Sequence, residues 1–202
     1  MIKNIVFDMG WVLLEFKPEE YIRNYITNEE DIALINQELF CGSEWQETDR
    51  GTISDESFLS RVCARLPERL HPNAKLIWEN WHRFMKPIMS TNRLAEELKE
   101  KGYRIYLLSN TSKEYYIFRK QIPSIESFDG EFISADVHFN KPEKEIYELF
   151  FKQFQLKPAE CFFIDDRADN IATAEKLGMR GFRYQQDTNA LRIALKSADI
   201  TI

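Results

Sequence analysis

Four places along the chain follow or adjoin a short apolar run with polar residues able to do chemistry together: Asp8-Met9-Gly10, Ser109-Asn110-Thr111, Lys141-Pro142 and Asp165-Asp166. Singly, each has an ordinary structural reading. An Asp after an apolar strand forms a turn or caps a helix, Ser-Asn makes a turn, a Lys before Pro is a solvated charge, and paired Asp favours the start of a helix. Together they mean more, because ligands of open parallel sheets sit beyond the carboxyl ends of the strands. Three carboxylates at one such edge repel one another unless a cation lies among them. Oxygen donors with no His or Cys beside them favour Mg²⁺ over zinc. Asp8, Asp166 and the Gly10 carbonyl are the expected ligands, with Asp165 holding a metal-bound water. Even with Mg²⁺ and Lys141, these acids and a phosphate dianion remain net negative. The Ser109 hydroxyl and neighbouring backbone N–H groups are therefore expected to hold the phosphoryl oxygens. Lys141 cancels the charge of the nucleophile, so Asp8 could attack phosphorus in line and form an aspartyl-phosphate that water hydrolyses.

The elements that must position these residues are legible as short apolar runs at 4–8, 104–109, 131–134, 161–165 and 181–184. Amphipathic stretches at 93–101, 143–153 and 168–177 alternate with them, and Gly102 and Gly178 stand where helix-ending glycines belong. Strand–helix alternation with nearly uniform apolar strands predicts an α/β fold, a Rossmann-like parallel sheet covered on both faces. The alternation fails between about residues 16 and 88. That segment reads as helices at 18–27, 29–40, 54–66 and 73–84, with Ser54-Asp55-Glu56 as a cap and acidic first turn. The expected organisation is a catalytic core of residues 1–15 and 89–202, interrupted by a helical cap at 16–88.

Composition narrows the partners. The 202 residues are 44% hydrophobic, enough for a full core, and the net charge of −6 gives no basic field for nucleic acid or an anionic membrane. An acidic protein acting on an anion must carry its positive charge locally. Cys41, Cys63 and Cys161 are scattered with no C-x-x-C pair, so neither zinc nor a disulfide framework is expected. The opening MIKNIVFDMG is too short an apolar run to serve as a signal peptide or to span a bilayer. A reducing, cytoplasmic setting is the expectation.

The ordered motifs F-D-M-G-W-V-L at 7–13, L-L-S-N-T at 107–111, Lys141-Pro142 and F-F-I-D-D-R-A-D-N at 162–170 resemble those of the haloacid dehalogenase-like hydrolases. The match covers nearly the whole chain. The stretch R-G-T-I-S-D-E-S-F at 50–58 is similar to a cap segment of the α-glucose-1-phosphate phosphatase-like branch. The resemblance implies a magnesium-dependent phosphatase acting on a small phosphorylated metabolite, such as a sugar-1-phosphate. It implies Asp8 as nucleophile and metal ligand, Gly10 as carbonyl ligand, Ser109 and Asn110 holding the phosphoryl group, and Lys141 neutralising it. Asp166 would be the direct metal ligand, Asp165 its outer-sphere neighbour, and Asn170 a supporting residue.

One position departs from that family. Most of its phosphatases carry a second Asp two residues after the nucleophile as general acid and base, and here Gly10 stands there. The missing proton transfer is often worth about 10²–10⁴-fold. The D-x-G pattern also occurs in the sugar-1-phosphate branch, where a hemiacetal leaving group needs less protonation than an ordinary alcohol. The alternative is a catalytically weak or inactive protein that binds phosphate or sugar phosphates. A receiver module would carry its paired acids at the first strand, and a dehalogenase would not need the Asp165-Asp166 pair.

Of the other conspicuous residues, Trp11 is expected to wall the substrate pocket or to pack the loop against the cap. Arg50 is expected to pair with Glu47 or Asp49, with contact to substrate hydroxyls as the alternative. Trp78 and Trp81 read as core, as does the stripe Phe150, Phe151 and Phe154, while His71, His82 and His138 show no metal spacing.

Overall fold

Runs of Ile, Val, Leu and Phe without polar alternation need cover on both faces, and they form a five-stranded parallel sheet. The computed structural model describes residues 1–202. Its strands are β1 (Asn4–Phe7), β2 (Arg104–Ser109), β3 (Gly130–Ile133), β4 (Cys161–Asp165) and β5 (Arg180–Arg183), in the order β3-β2-β1-β4-β5. Each predicted strand lies within one residue of an observed one. β1 and β4 are buried along their whole length. The register pairs Phe7 with Leu107 on one side and with Ile164 on the other, so the chain leaves β1 between the ends of β2 and β4.

Helices α1 (Pro18–Ile22), α2 (Glu29–Phe40), α3 (Ser43–Asp49), α4 (Asp55–Cys63) and α5 (His71–Asn80) occupy the chain between β1 and α6 (Met89–Glu100). The remaining helices are α7 (Tyr115–Phe118), α8 (Ser134–Val137), α9 (Lys144–Phe154), α10 (Ala168–Lys176) and α11 (Thr188–Ser197). None is long and apolar enough to cross a membrane. After α6 and α10 the chain turns at Gly102 and Gly178, with φ of 90° and 97° that favour glycine.

One face of the sheet packs Val6, Tyr106, Leu108 and Phe163 against Ile146 and Phe150 of α9 and Ala174 of α10. In the Phe150, Phe151, Phe154 stripe only Phe150 is fully buried. The other face carries a larger core in which Ile5, Phe7 and Leu107 join Leu94 of α6 and Leu191 of α11, and continue into Phe58, Ile77 and Trp78 of the inserted helices. Trp78 stacks on Phe58 at 4.0 Å, and Trp81 lies against Phe16, Phe40 and Trp45. Trp78 and Trp81 are thus core, as their spacing predicts.

The two connections of the insertion run side by side. Glu15 N–H donates to the Lys86 carbonyl at 2.8 Å and Ile88 N–H to that of Leu13 at 2.9 Å. The expected helices at 18–27, 54–66 and 73–84 are shorter in the structure. After Ile22 the Asn24 side chain takes the Glu20 and Tyr21 carbonyls, and the backbone closes into turns. Helix α4 ends at Cys63 before Pro67, and α5 gives way at Trp81–Phe84 to a 3₁₀ turn. Helix α3, which the sequence did not predict, carries Trp45 and Asp49 one turn apart.

The end of α3 meets the core at Gly51. Its φ is +67°, and a Cβ there would lie 2.6 Å from the Ala135 carbonyl oxygen. Gly51→Ala therefore strains the backbone and forces the insertion off α8. We expect a loss of about 2 kcal/mol or more of unfolding free energy by urea denaturation, against little change for Gly102→Ala beyond the cost of its own positive φ.

Candidate active site

Strand ends bring the four polar clusters to one point. Lys141 sits in the segment between β3 and α9, and its side chain is 1% exposed. Its Nζ donates to Asp8 Oδ1 at 2.8 Å, to Asp165 Oδ2 at 2.7 Å and to the Leu108 carbonyl at 2.9 Å. Asn110 holds the lysine backbone from both sides: its Nδ2 donates to the Lys141 carbonyl at 2.9 Å, and its Oδ1 accepts the Lys141 N–H at 2.7 Å. The side-chain amide of Asn110 is thereby spent on positioning. Ser109 is 1% exposed, and its hydroxyl makes a 3.4 Å bond to the Asn110 carbonyl, so it stands behind the rim that Asn110 and Thr111 form.

Asp165 is fully buried and saturated by protein donors. Asn170 Nδ2 lies 3.0 Å from both its oxygens, and Arg167 N–H donates to Oδ1 at 2.8 Å. That satisfaction suits an outer-sphere place better than a ligand's. Asp8 Oδ1 also accepts the Met9 N–H at 2.7 Å. Asp166 is half-buried on the cavity side. Ligand atoms of Asp8, Asp165 and Asp166 fall within 4.8 Å of one another.

The electrostatics fit a divalent cation. Burial pushes the Asp8 carboxyl up to about 7, with Asp165 and Asp166 adding to it and Lys141 opposing. Burial, and then Asp165, also raises Asp166. Burial works against the Lys141 ammonium, yet Asp165 and Asp8 outweigh it and hold its pKa above the ordinary lysine value. Three crowded oxygen donors with one lysine among them fit a hard divalent ion.

Above the edge lies a cavity of about 550 Å³, within the range of small-ligand sites. Asp8, Gly10, Asn110, Lys141 and Asp166 form its floor, while Phe16, Phe40, Trp45, Asp49 and Trp81 of the insertion line it from the other side. Trp11 also lines it, held at φ 57° with its N–H on the Leu14 carbonyl at 2.7 Å, so it walls the pocket. A Cβ added to Gly10 meets nothing within 4 Å, so the space of the absent second acid is open.

Two cap-side residues differ from expectation. Arg50 turns from its neighbours to Glu143 of the core, with contacts of 3.0 Å to its carboxylate and 3.1 Å to the His138 carbonyl. Asp49 was read only as a partner for that arginine, and instead it lines the cavity. Its one local signal is the four-residue spacing from Trp45. His71, His82 and His138 join no metal cluster.

The model of the haloacid dehalogenase-like hydrolases matches residues 2–178. The chain belongs to that family. A D-ribitol-5-phosphate phosphatase of Bacteroides thetaiotaomicron is 28% identical over 91% of this chain and 92% of its own. A sesquiterpene phosphatase of Aspergillus oryzae is 26% identical over 89% and 88%. Among solved structures, the magnesium complex of a Bacteroides thetaiotaomicron enzyme of the family superposes with a TM-score of 0.75. It is 26% identical and covers 95% of this chain and 98% of its own.

The raised Asp8 pKa has a consequence for stability. A carboxyl with a folded pKa above its ordinary 3.8 binds its proton more tightly in the folded chain, so stability falls as pH rises from about 4 towards about 7. In EDTA, Asp8→Asn should exceed the wild type by roughly 2 kcal/mol at pH 8 in urea denaturation. The difference should vanish near pH 4, and saturating Mg²⁺ should shrink it by stabilising only the wild type.

Proposed function

We propose that the chain is a magnesium-dependent phosphatase of small monophosphate esters, working through an aspartyl-phosphate on Asp8. The observation that carries this reading is the single buried ammonium of Lys141 shared between Asp8 and Asp165 at the floor of the cavity. Residues 16–88 act as the cap over a core of 1–15 and 89–202. Asp8, Asp166 and the Gly10 carbonyl would hold Mg²⁺, with Asp165 behind them. The ion, when bound, supplies charge to the phosphoryl oxygens. Lys141 favours the ionised form of Asp8 and holds it in place for in-line attack. The backbone N–H of Asn110, with Ser109 behind it, orients the phosphoryl group.

The cavity wall selects the rest of the substrate. Its positive groups are already engaged, Lys141 with Asp8 and Asp165, Arg50 with Glu143 and Arg167 with Asp169. Glu15 adds negative charge to the wall. A second phosphate or carboxylate on the substrate finds no partner there. The aromatic lining favours a neutral leaving group with an apolar face, as a sugar or polyol presents. The same lining supports a second reading, a hydrocarbon alcohol, and the two similar phosphatases act on one compound of each kind by name. The unpaired cysteines are compatible with a reducing, cytoplasmic setting.

Turnover of p-nitrophenyl phosphate with Mg²⁺ tests the proposal. Hydrolysis should fall at least about 10³-fold in Asp8→Asn and should stop in EDTA. Activity that survives EDTA would refute the metal assignment, and absence of turnover would leave a binding protein. In a screen of monophosphates, kcat/KM for polyol and sugar monophosphates should exceed that for bisphosphates of the same compounds.

A further inference from the structure

The open space over Gly10 leaves the leaving-group oxygen without a proton donor from the strand edge. The opposite wall carries one. Asp49 ends α3, lines the same cavity as Asp8, and makes no salt bridge, since Arg50 turns to Glu143. It is half-buried, and it lines the cavity. A structural role explains it poorly. A carboxylate at a helix C-terminus opposes the helix dipole, and this one also stands in the field of Asp8. A costly acid held in a cleft without a cation is the pattern of a functional group.

Its placement is fixed by the core. Ser134 Oγ donates to the Asp49 carbonyl and accepts the Thr111 N–H at 2.9 Å, tying the end of α3 to the loop after β2. Asn140 Nδ2 donates to the Gln46 carbonyl at 3.0 Å, and His138 Nδ1 lies 2.9 Å from the Arg50 carbonyl. With the Arg50–Glu143 pair, these contacts pin residues 46–51 to the segment 134–143 that also carries Lys141.

We propose that Asp49 is the general acid and base of the phosphatase, delivered from the cap in place of the side chain that Gly10 lacks. The inference rests on the function proposed above. In the first step an Asp8 oxygen bonds to phosphorus while the ester P–O bond breaks, and the departing oxygen takes the proton of the Asp49 carboxyl. In the second, water gives a proton to the Asp49 carboxylate as its oxygen bonds to phosphorus and the Asp8–phosphorus link breaks. Ester and water become alcohol and phosphate, and Asp49 ends protonated as it began. Burial, and then Asp8, push the Asp49 carboxyl up to about 8, with Lys141 and the Trp45 indole opposing more weakly, so it holds its proton at neutral pH. Trp11, Trp45 and Phe16 on the cavity wall limit water around it.

The test compares Asp49→Asn with wild type on two probes, p-nitrophenyl phosphate and ribitol 5-phosphate, in saturating Mg²⁺. The first expels an acidic phenol and needs no acid, while the second expels an alkoxide. Asp49→Asn should lower kcat/KM for ribitol 5-phosphate by about 10²-fold or more, and for p-nitrophenyl phosphate by less than about tenfold. It should also give a burst of one equivalent of p-nitrophenol, with a phosphoryl group accumulating on the protein by intact mass, because water activation is slowed. The alkaline limb of the kcat/KM profile for ribitol 5-phosphate should disappear. Equal loss on both probes without a burst, or wild-type kinetics, would overturn the proposal. Asp49→Glu should restore part of the alkyl-phosphate activity, which a purely structural residue would not show. If the wild type itself lacks Mg²⁺-dependent, Asp8-dependent turnover, the phosphatase reading fails first. If it turns over and Asp49→Asn matches it, this inference alone fails.

Discussion

The ammonium of Lys141 is the charge around which the site is organised. It touches Asp8 just after β1, Asp165 at the end of β4 and the Leu108 carbonyl of β2, while its own backbone is held by Asn110. Burying an ammonium with two carboxylates is costly unless every partner is hydrogen-bonded, and here almost every donor and acceptor is. The sheet order makes this geometry available, because β1 lies between β2 and β4 and their carboxyl ends arrive together. One lysine does not balance the three acids, and burial together with the remaining negative charge raises Asp8 and Asp166. That surplus is a driving force for a divalent ion, and the same arrangement keeps Asp165 behind the two acids that face the cavity.

The sheet and the floor of the site were legible in the sequence for a physical reason. Strands buried on both faces must be apolar without interruption, so the polar residues that end them stand out, and Asp8, Asn110, Lys141, Asp165 and Asp166 were found in that way. Asn170 was named as supporting and proves to hold both oxygens of Asp165. The insertion was harder to read. In α3 the sequence Ser-Glu-Trp-Gln-Glu-Thr-Asp has little apolar periodicity, and its fold depends on contacts with the core. Helix α11 went unread although Asp187 caps it, accepting from the Asn189 and Ala190 N–H groups. Arg50 found its partner 93 residues away in Glu143, a pairing that no local spacing encodes. Asp49 was hidden for the same reason, since its meaning depends on what faces it across the cavity.

The missing acid at Gly10 takes on a different sense once the opposite wall is considered. With the strand edge alone, the chemistry would be restricted to leaving groups that depart without a proton, which is why an anomeric phosphate suited the sequence. With a carboxyl supplied from α3 that restriction lifts, and ordinary alcohols become acceptable leaving groups. Glycine at position 10 then has a second use. It leaves room over Asp8 for the ester oxygen and for a donor approaching from the insertion.

On the proposed mechanism, nucleophile and acid are divided between the two parts of the chain, which links chemistry to docking. Asp8 belongs to the sheet, while Asp49 is in register only when Ser134, His138, Asn140 and Glu143 hold the end of α3. If the insertion lifts, the cavity floods and the proton donor leaves together. Phosphoryl transfer to Asp8 is then favoured only while water is limited and the alcohol can be protonated as it departs. The hydrophobic core shared by the insertion and the sheet holds that docked state in place, so the energetic burden of opening falls on the polar latch at residues 46–51. A latch of hydrogen bonds and one ion pair, half-exposed to solvent, is the weaker of the two attachments.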